Sequence, residues 1–321
     1  MTRPLRIARQ TLLLALVLLS TACQLVIPVK APVPSPLAYQ SSASAPGYKL
    51  DVSDARAEQA RANFSEGVVK TTIRSGKADL EPISFMSDAL RSELAARGFP
   101  EQGDAAPLPV AIRTFHFENH RVSGFSPWVT LTTIAADVQT PNGTRRLTSF
   151  VRRAKLPVWS MDEINDVCFS DALSVATKEL VAKMNRALWT RSLSDADVDA
   201  LVAKIDRMGE TDSTWLEVYQ LGFSNNPRAI APLVKLAAHT NEYMRSAAIS
   251  GLGTLGAIDQ LPFLKGLANT SPMWQDRAMA LKAIGDLGTT EANAFLDSEW
   301  TRLGDKGNEG NWSRSVISLY R

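Results

Sequence analysis

The sequence predicts an α+β module over residues 48–190, an antiparallel sheet with helices on one face, followed by an all-α helical-repeat solenoid over 191–321. Three observations carry this reading. Apolar residues in the first part alternate between a period of two and the helical period of about 3.6. The second part repeats itself at a spacing of 32 residues, from Arg245 to Arg277, as stacked helical units do. The chain of 321 residues also exceeds one average domain.

The first 22 residues set the compartment. Arg3, Arg6 and Arg9 precede an apolar run from Leu12 to Leu19, and Ser20, Thr21 and Ala22 present small side chains just before Cys23. Positive, apolar, then small is the order of a secretory signal. The run falls well short of the roughly 20 residues of a spanning helix. The stretch Leu19-Ser20-Thr21-Ala22-Cys23 resembles a bacterial lipoprotein signal, with Ser20 where that family carries a large aliphatic. The resemblance implies removal of residues 1–22 and acylation of Cys23, palmitate being the usual acyl group. Gln24, where an aspartate would imply inner-membrane retention, implies the outer membrane, facing the periplasm. Ordinary signal cleavage after Ala22 gives the alternative, a soluble periplasmic protein. Each buried methylene contributes about 0.8 kcal/mol, so several acyl chains make a stable anchor. Cys168 is then the one cysteine left, so stability must come from burial and not from a disulfide framework.

Residues 23–47 read as a tether. It contains Pro28, Pro32, Pro34, Pro36 and Pro46, with Ser35, Ser41, Ser42 and Ser44 among them. Such a stretch predicts a semi-rigid spacer of about 3.1 Å per residue that lifts the fold off the bilayer. The formal net charge of +2 offers no field for nucleic acid.

In the α+β module, Val68 to Ile73 is a short β-branched run. Ile83, Met86, Leu90 and Leu94 recur at helical spacing, and Gly98 after Arg97 supplies a left-handed C-cap. Val110 to Phe117 and Val129 to Val138 read as strands, and Pro141-Asn142-Gly143 turns the chain into a third, Arg146 to Arg153. Ser160 with Glu163 forms a capping box before a helix striped by Leu173, Ala176, Leu180, Met184 and Leu188. The helix ending in Ala-Arg-Gly-Phe, the hairpin about Asn142-Gly143 and the closing helix together resemble the YajG-like group of small envelope lipoproteins. More loosely, they resemble auxiliary lipoproteins of envelope transport systems. The resemblance implies a binding or scaffolding module.

In the second part, Arg245-Ser-Ala-Ala-Ile matches Arg277-Ala-Met-Ala-Leu, and Gly253 and Gly256 recur as Gly285 and Gly288. Ala231-Pro232-Leu233 likewise matches Leu261-Pro262-Phe263, residues 292–302 and 314–320 form a closing pair, and 195–224 an earlier one. The arginine, the small residues and the Leu-Gly-x-Leu-Gly ending resemble HEAT repeats. Solenoids recognise proteins along a curved surface. Trp215, Trp274, Trp300 and Trp312 are the candidate partner-binding residues, since tryptophan is enriched at interface hot spots.

Catalytic options are few with three histidines. His116, Glu118 and His120 alternate along a strand and so share a face, a weak candidate for a metal site. Arg145, Arg146, Arg152, Arg153 and Lys155 form a basic cluster, read either as a contact for anionic lipid or an acidic partner or as charge that keeps an edge strand soluble. Cys168 reads as a small buried hydrophobe. No phosphate-cradling loop, nucleophile elbow or paired metal-binding cysteines appear, and no cofactor is expected. The sequence therefore favours a non-enzymatic, membrane-anchored adaptor that binds an envelope protein through its helical repeats. An auxiliary component of lipid or solute transport and a metal-dependent hydrolase are the alternatives.

Overall fold

The computed structural model describes residues 25–40, 47–304 and 307–321. The signal segment 1–22, Cys23 and residues 41–46 of the expected tether lie outside the described residues. Among those described, no helix is long and apolar enough to cross a membrane.

The chain opens with β1 (Leu25–Val29), β2 (Lys49–Asp54), α1 (Glu58–Ala62), β3 (Ser65–Gly67), β4 (Thr71–Ser75) and β5 (Ala78–Asp79). Then come α2 (Pro82–Ala96), β6 (Pro107–His120), β7 (Trp128–Thr140) and β8 (Gly143–Lys155). A π-helical turn (Asn165–Ser170) leads into α3 (Asp171–Leu188). The three long strands form the expected antiparallel meander. The sheet as a whole is mixed and not antiparallel throughout, because β2 and β3 both pair parallel to β6. Parallel pairing needs a long crossover, and the segment containing α2 supplies it. The strand expected at 68–73 is interrupted for a local reason. Buried Asn119 takes the Val69 amide at 3.0 Å and donates to the carbonyls of Val69 and Glu66, each at 2.9 Å. That clamp bends the chain at residues 68–69, between β3 and β4, and β4 begins only at Thr71, paired with β1 in a second, three-stranded sheet.

Residues 25–40 are not a free spacer. Ile27 and Val29 of β1 are buried, as are Ser35 and Tyr39. The cause lies in α2, whose Glu93 and Arg97 make a buried ion pair at 2.8 Å. A buried pair needs further hydrogen bonds to offset its desolvation. The proline-rich strap provides them: the Ser35 amide donates to Glu93 at 2.8 Å, and Arg97 donates to the Leu37 carbonyl at 3.1 Å.

The helical part runs as α4 (Asp195–Met208), α5 (Thr214–Gly222), α6 (Ile230–Leu236), α7 (Glu242–Leu255), α8 (Leu261–Thr270), α9 (Trp274–Leu287), α10 (Thr290–Leu303) and α11 (Gly307–Ser318). Hydrogen bonds reproduce the repeat residue for residue. Arg245 donates to the carbonyls of His239 and Thr240 at 2.8 and 3.1 Å. Arg277 donates to those of Ser271 and Pro272, at the equivalent positions, at the same distances. Each repeat arginine thus caps the turn that enters its own helix. The repeated glycines have two uses. Gly256 and Gly288 adopt left-handed C-caps with φ of 71° and 63°. At Gly253 an added Cβ would lie 2.5 Å from the Ala283 Cα, so the backbones of α7 and α9 meet there.

The two parts share one continuous core. α3 packs on α7 as well as on β7 and β8, so the inner row of the solenoid is covered by the chain's own α+β module. Arg186 of α3 draws this contact tight by donating to the carbonyls of Gly253, Thr254 and Asp286 at 2.7–2.8 Å, at the C-terminal ends of α7 and α9. A cation there also meets the negative ends of both helix dipoles. Helix α3 covers one face of the sheet, and a helix of the solenoid covers the other. Ser149 hydrogen-bonds α3 through Glu179 at 2.6 Å. On the other face the His120 ring lies 4.8 Å from that of Trp312 on α11. Edge strand β8 is capped by side chains, Lys183 donating to the Thr148 carbonyl at 2.5 Å and the Tyr243 hydroxyl to that of Ala154 at 3.0 Å.

Candidate functional site

The last residues of β8 run across the N-terminal ends of α5, α7 and α9, and there the basic residues and two of the tryptophans meet. Side chains alternate along a strand, so Arg152 and Arg153 leave opposite faces. Arg152 pairs with Glu242 at the start of α7 and stands 5.2 Å from the Trp274 ring. Arg153 is 4 % exposed, with its guanidinium 3.9 Å from the centroids of both Trp215 and Tyr243. An arginine held between two rings gains cation–π attraction on both faces. Among the described residues no carboxylate forms a salt bridge with it, the charge of Asp171 acting through space; its Nε donates to the Val167 carbonyl at 3.4 Å. Burial pulls its pKa below the ordinary arginine value.

Around this stack lies a cavity of about 500 Å³, lined by Arg152, Arg153, Lys155, Trp215, Tyr243 and Gln275, with Glu210, Asp212 and Glu242 also on its wall. Three buried side-chain atoms of its lining have no hydrogen-bond partner: Arg152 Nε, Arg153 Nη1 and Gln275 Oε1. All three belong to residues of one wall and are themselves enclosed in it, an unusual cluster, since buried polar groups are almost always satisfied.

The rest of the basic cluster goes elsewhere. Arg145 and Arg146 are exposed at the far end of β8. Arg146 and Arg113 grip Asp137 at 2.9 and 2.7 Å. Burial alone would raise the Asp137 carboxyl, but these hydrogen bonds hold it below the usual carboxylate range.

The four tryptophans do not form one surface. Trp215 is buried in the arginine stack. Trp274 and Trp312 pack on each other with centroids 4.6 Å apart, and Trp300 lies against Arg314 and Arg321 at 4.1 and 5.0 Å. The exposed tryptophan is Trp159, 85 % accessible just beyond β8. Sequence reasoning missed it because it sits in an aperiodic turn.

His116, Glu118 and His120 do share a face of β6, and His120 hydrogen-bonds Glu118 at 2.7 Å. Burial lowers the pKa of His116. Among the described residues no group of three histidine, cysteine or acidic side chains is placed to hold a metal ion. Cys168 is fully buried in the π-helical turn, and burial pushes its thiol up to about 12, far from the range of a nucleophile.

A family model of HEAT repeats matches residues 218–285, from the second half of α5 through α6, α7 and α8 to nearly the end of α9. No curated protein matches the chain.

Proposed function

We propose that the chain is a non-enzymatic lipoprotein, anchored through Cys23 to the outer membrane and facing the periplasm, that acts as a protein-binding adaptor or scaffold of the bacterial cell envelope. One observation carries the binding role. The loop between β6 and β7 and the turn after β8 leave the same end of the sheet, where Trp128 pairs with Lys155. They display Val122 and Phe125, each 96 % exposed, beside Leu156 at 56 % and Trp159. Large apolar side chains exposed together mark interaction surfaces. The loop is braced for the purpose: Ser126 Oγ accepts from the amides of Val122 and Ser123 at 2.9 and 2.8 Å, and Arg121 donates to the Gly124 carbonyl at 2.5 Å.

A protein is the partner that fits. The same two connecting segments carry Asp162 and Glu163 as well as Arg121 and Lys155, so the surface lacks the uniformly positive charge that anionic lipid favours. With α3 covering the inner row of the solenoid, the docking surface moves from the repeats to these loop tips. The HEAT match and the YajG-like resemblance both support a binding module. Because β1 begins at Leu25, an acylated Cys23 would hold the module against the bilayer, with no spacer between.

The test is cross-linked affinity capture from envelope membranes, comparing the native chain with Phe125→Asp/Trp159→Asp. Loss of a defined protein at unchanged thermal stability is the expected result; capture of the same proteins by the variant would sink the reading. Cys23→Ser should move the chain from the membrane to the soluble fraction, and retention on the membrane would remove the anchor.

A further inference from the structure

We propose that the cavity around Arg153 binds an α-amino acid, free or at the end of a short peptide, with its carboxylate on Arg153 and its amine toward the acidic rim. Arg153 is 4 % exposed and among the described residues has no salt-bridged carboxylate, Asp171 acting on it only through space, while its Nη1 is buried without an acceptor. The aromatic stack fixes the plane of the guanidinium, and a planar fork whose orientation is fixed recognises a carboxylate with little loss of freedom. Lys155, on the same wall, makes no salt bridge among the described residues and adds a second positive charge.

The remaining charges select the ligand. Arg152 and Glu242 neutralise each other. That leaves Arg153 and Lys155 facing Glu210 and Asp212, both exposed at the mouth. A dianion gains little from walls whose charges cancel, whereas a zwitterion with its anionic end inward meets both signs correctly. Gln275 Oε1, unpartnered on the same wall, can accept a hydrogen bond from the ammonium group or from a peptide N–H. A volume of about 500 Å³ lies within the range of small-molecule sites and admits either form of ligand.

The cavity opens beside the loop tips and shares Leu156 with them, but the ligand contacts fall on Arg153, Lys155 and Gln275, none of which the docking variants change, so each test stands alone. The experiment follows thermal unfolding of the full chain with three additives: an equimolar mixture of the twenty amino acids, the same residues as carboxamides, and a mixture of dipeptides. A ligand at about ten times its Kd should raise Tm by roughly 3 °C. A shift with the free amino acids assigns the small ligand, and a shift with dipeptides alone assigns the peptide terminus. Either supports the proposal if the carboxamides fail. Arg153→Lys keeps the charge without the fork and should weaken binding at least tenfold. Should that variant not fold, Gln275→Ala and Lys155→Ala, both at partly exposed positions, should each weaken it several-fold. No shift with any carboxylate ligand, or an equal shift with the carboxamides, overturns the proposal.

Discussion

Lys183 of α3 and Asp286 of α9 stand 103 residues apart in sequence and 2.6 Å apart in the fold. Their pair is the centre of a buried network joining the module to the solenoid. Lys183 also meets Glu179 at 2.7 Å, while Lys282 reaches Glu179, Asp286 at 2.9 Å and Ser250 at 2.8 Å. Tyr320 closes the cluster by donating to Asp286 at 2.7 Å. Two ammonium groups and two carboxylates balance, so the network is neutral with its lone pairs in use. Such a network specifies one docking geometry more than it adds stability. It makes the two parts one cooperative body.

Removing one member should therefore be costly. Asp286→Ala leaves two buried ammonium groups sharing Glu179, and breaking a buried pair costs about 3–5 kcal/mol. Urea unfolding should show that loss in a single transition. A drop below about 1 kcal/mol, or separate unfolding of the two parts, would show that the network does not couple them.

The same residue sets an acid limb. Burial alone would raise the Asp286 carboxyl, but Lys183 and Lys282 hold it below its ordinary value of 3.8. A depressed carboxylate contributes stability that is present in full above the unfolded value and is lost as pH falls through the lower, folded one. The urea midpoint should thus carry this contribution down to about pH 4 and lose it below. Asp286→Asn should flatten that limb without abolishing it, because Asp54 and Asp137 are shifted in the same direction. An identical limb in the variant would assign the acid sensitivity to other carboxylates.

Two glycines should respond with opposite signs. At Gly253 a methyl group would collide with the Ala283 backbone, and overpacking of this kind costs about 1–3 kcal/mol. Gly266, inside α8, has nothing within 4 Å of the added Cβ. Gly266→Ala should therefore gain about 0.5–1 kcal/mol from helix propensity. Thermal unfolding of both variants checks the pair. Equal effects would mean that α7 and α9 do not approach as closely as described.

Elements with an unbroken period were legible in the sequence. The helix from Ile83 to Leu94, the three long strands and the 32-residue repeat all follow from local pattern, and each formed where its pattern runs. The strap 25–40 was not legible. Its prolines read as a spacer, and the reason it packs is the buried Glu93–Arg97 pair, which no local window contains. Nor could pattern show that Arg153 lies between Trp215 and Tyr243, since that stack joins three elements spaced along 90 residues from Arg153 to Tyr243. Individual members of the site were named from residue type alone; their convergence depended on how α3 docks.

The last prediction concerns Cys168. The thiol is fully buried beside Phe169, and its pKa of about 12 keeps it protonated at neutral pH. Thiolate is the reactive form, so alkylation must wait for the protein to open. Iodoacetamide labelling of Cys168, followed by peptide mass, should run at least about a thousandfold slower in the native chain than in urea. Because Cys168 lies in the turn that leads into α3, its labelling should speed up in Asp286→Ala in proportion to the lost stability. Rapid labelling of the native chain at pH 7 would mean that the π-helical turn opens on its own, independently of the network that binds α3 to the solenoid.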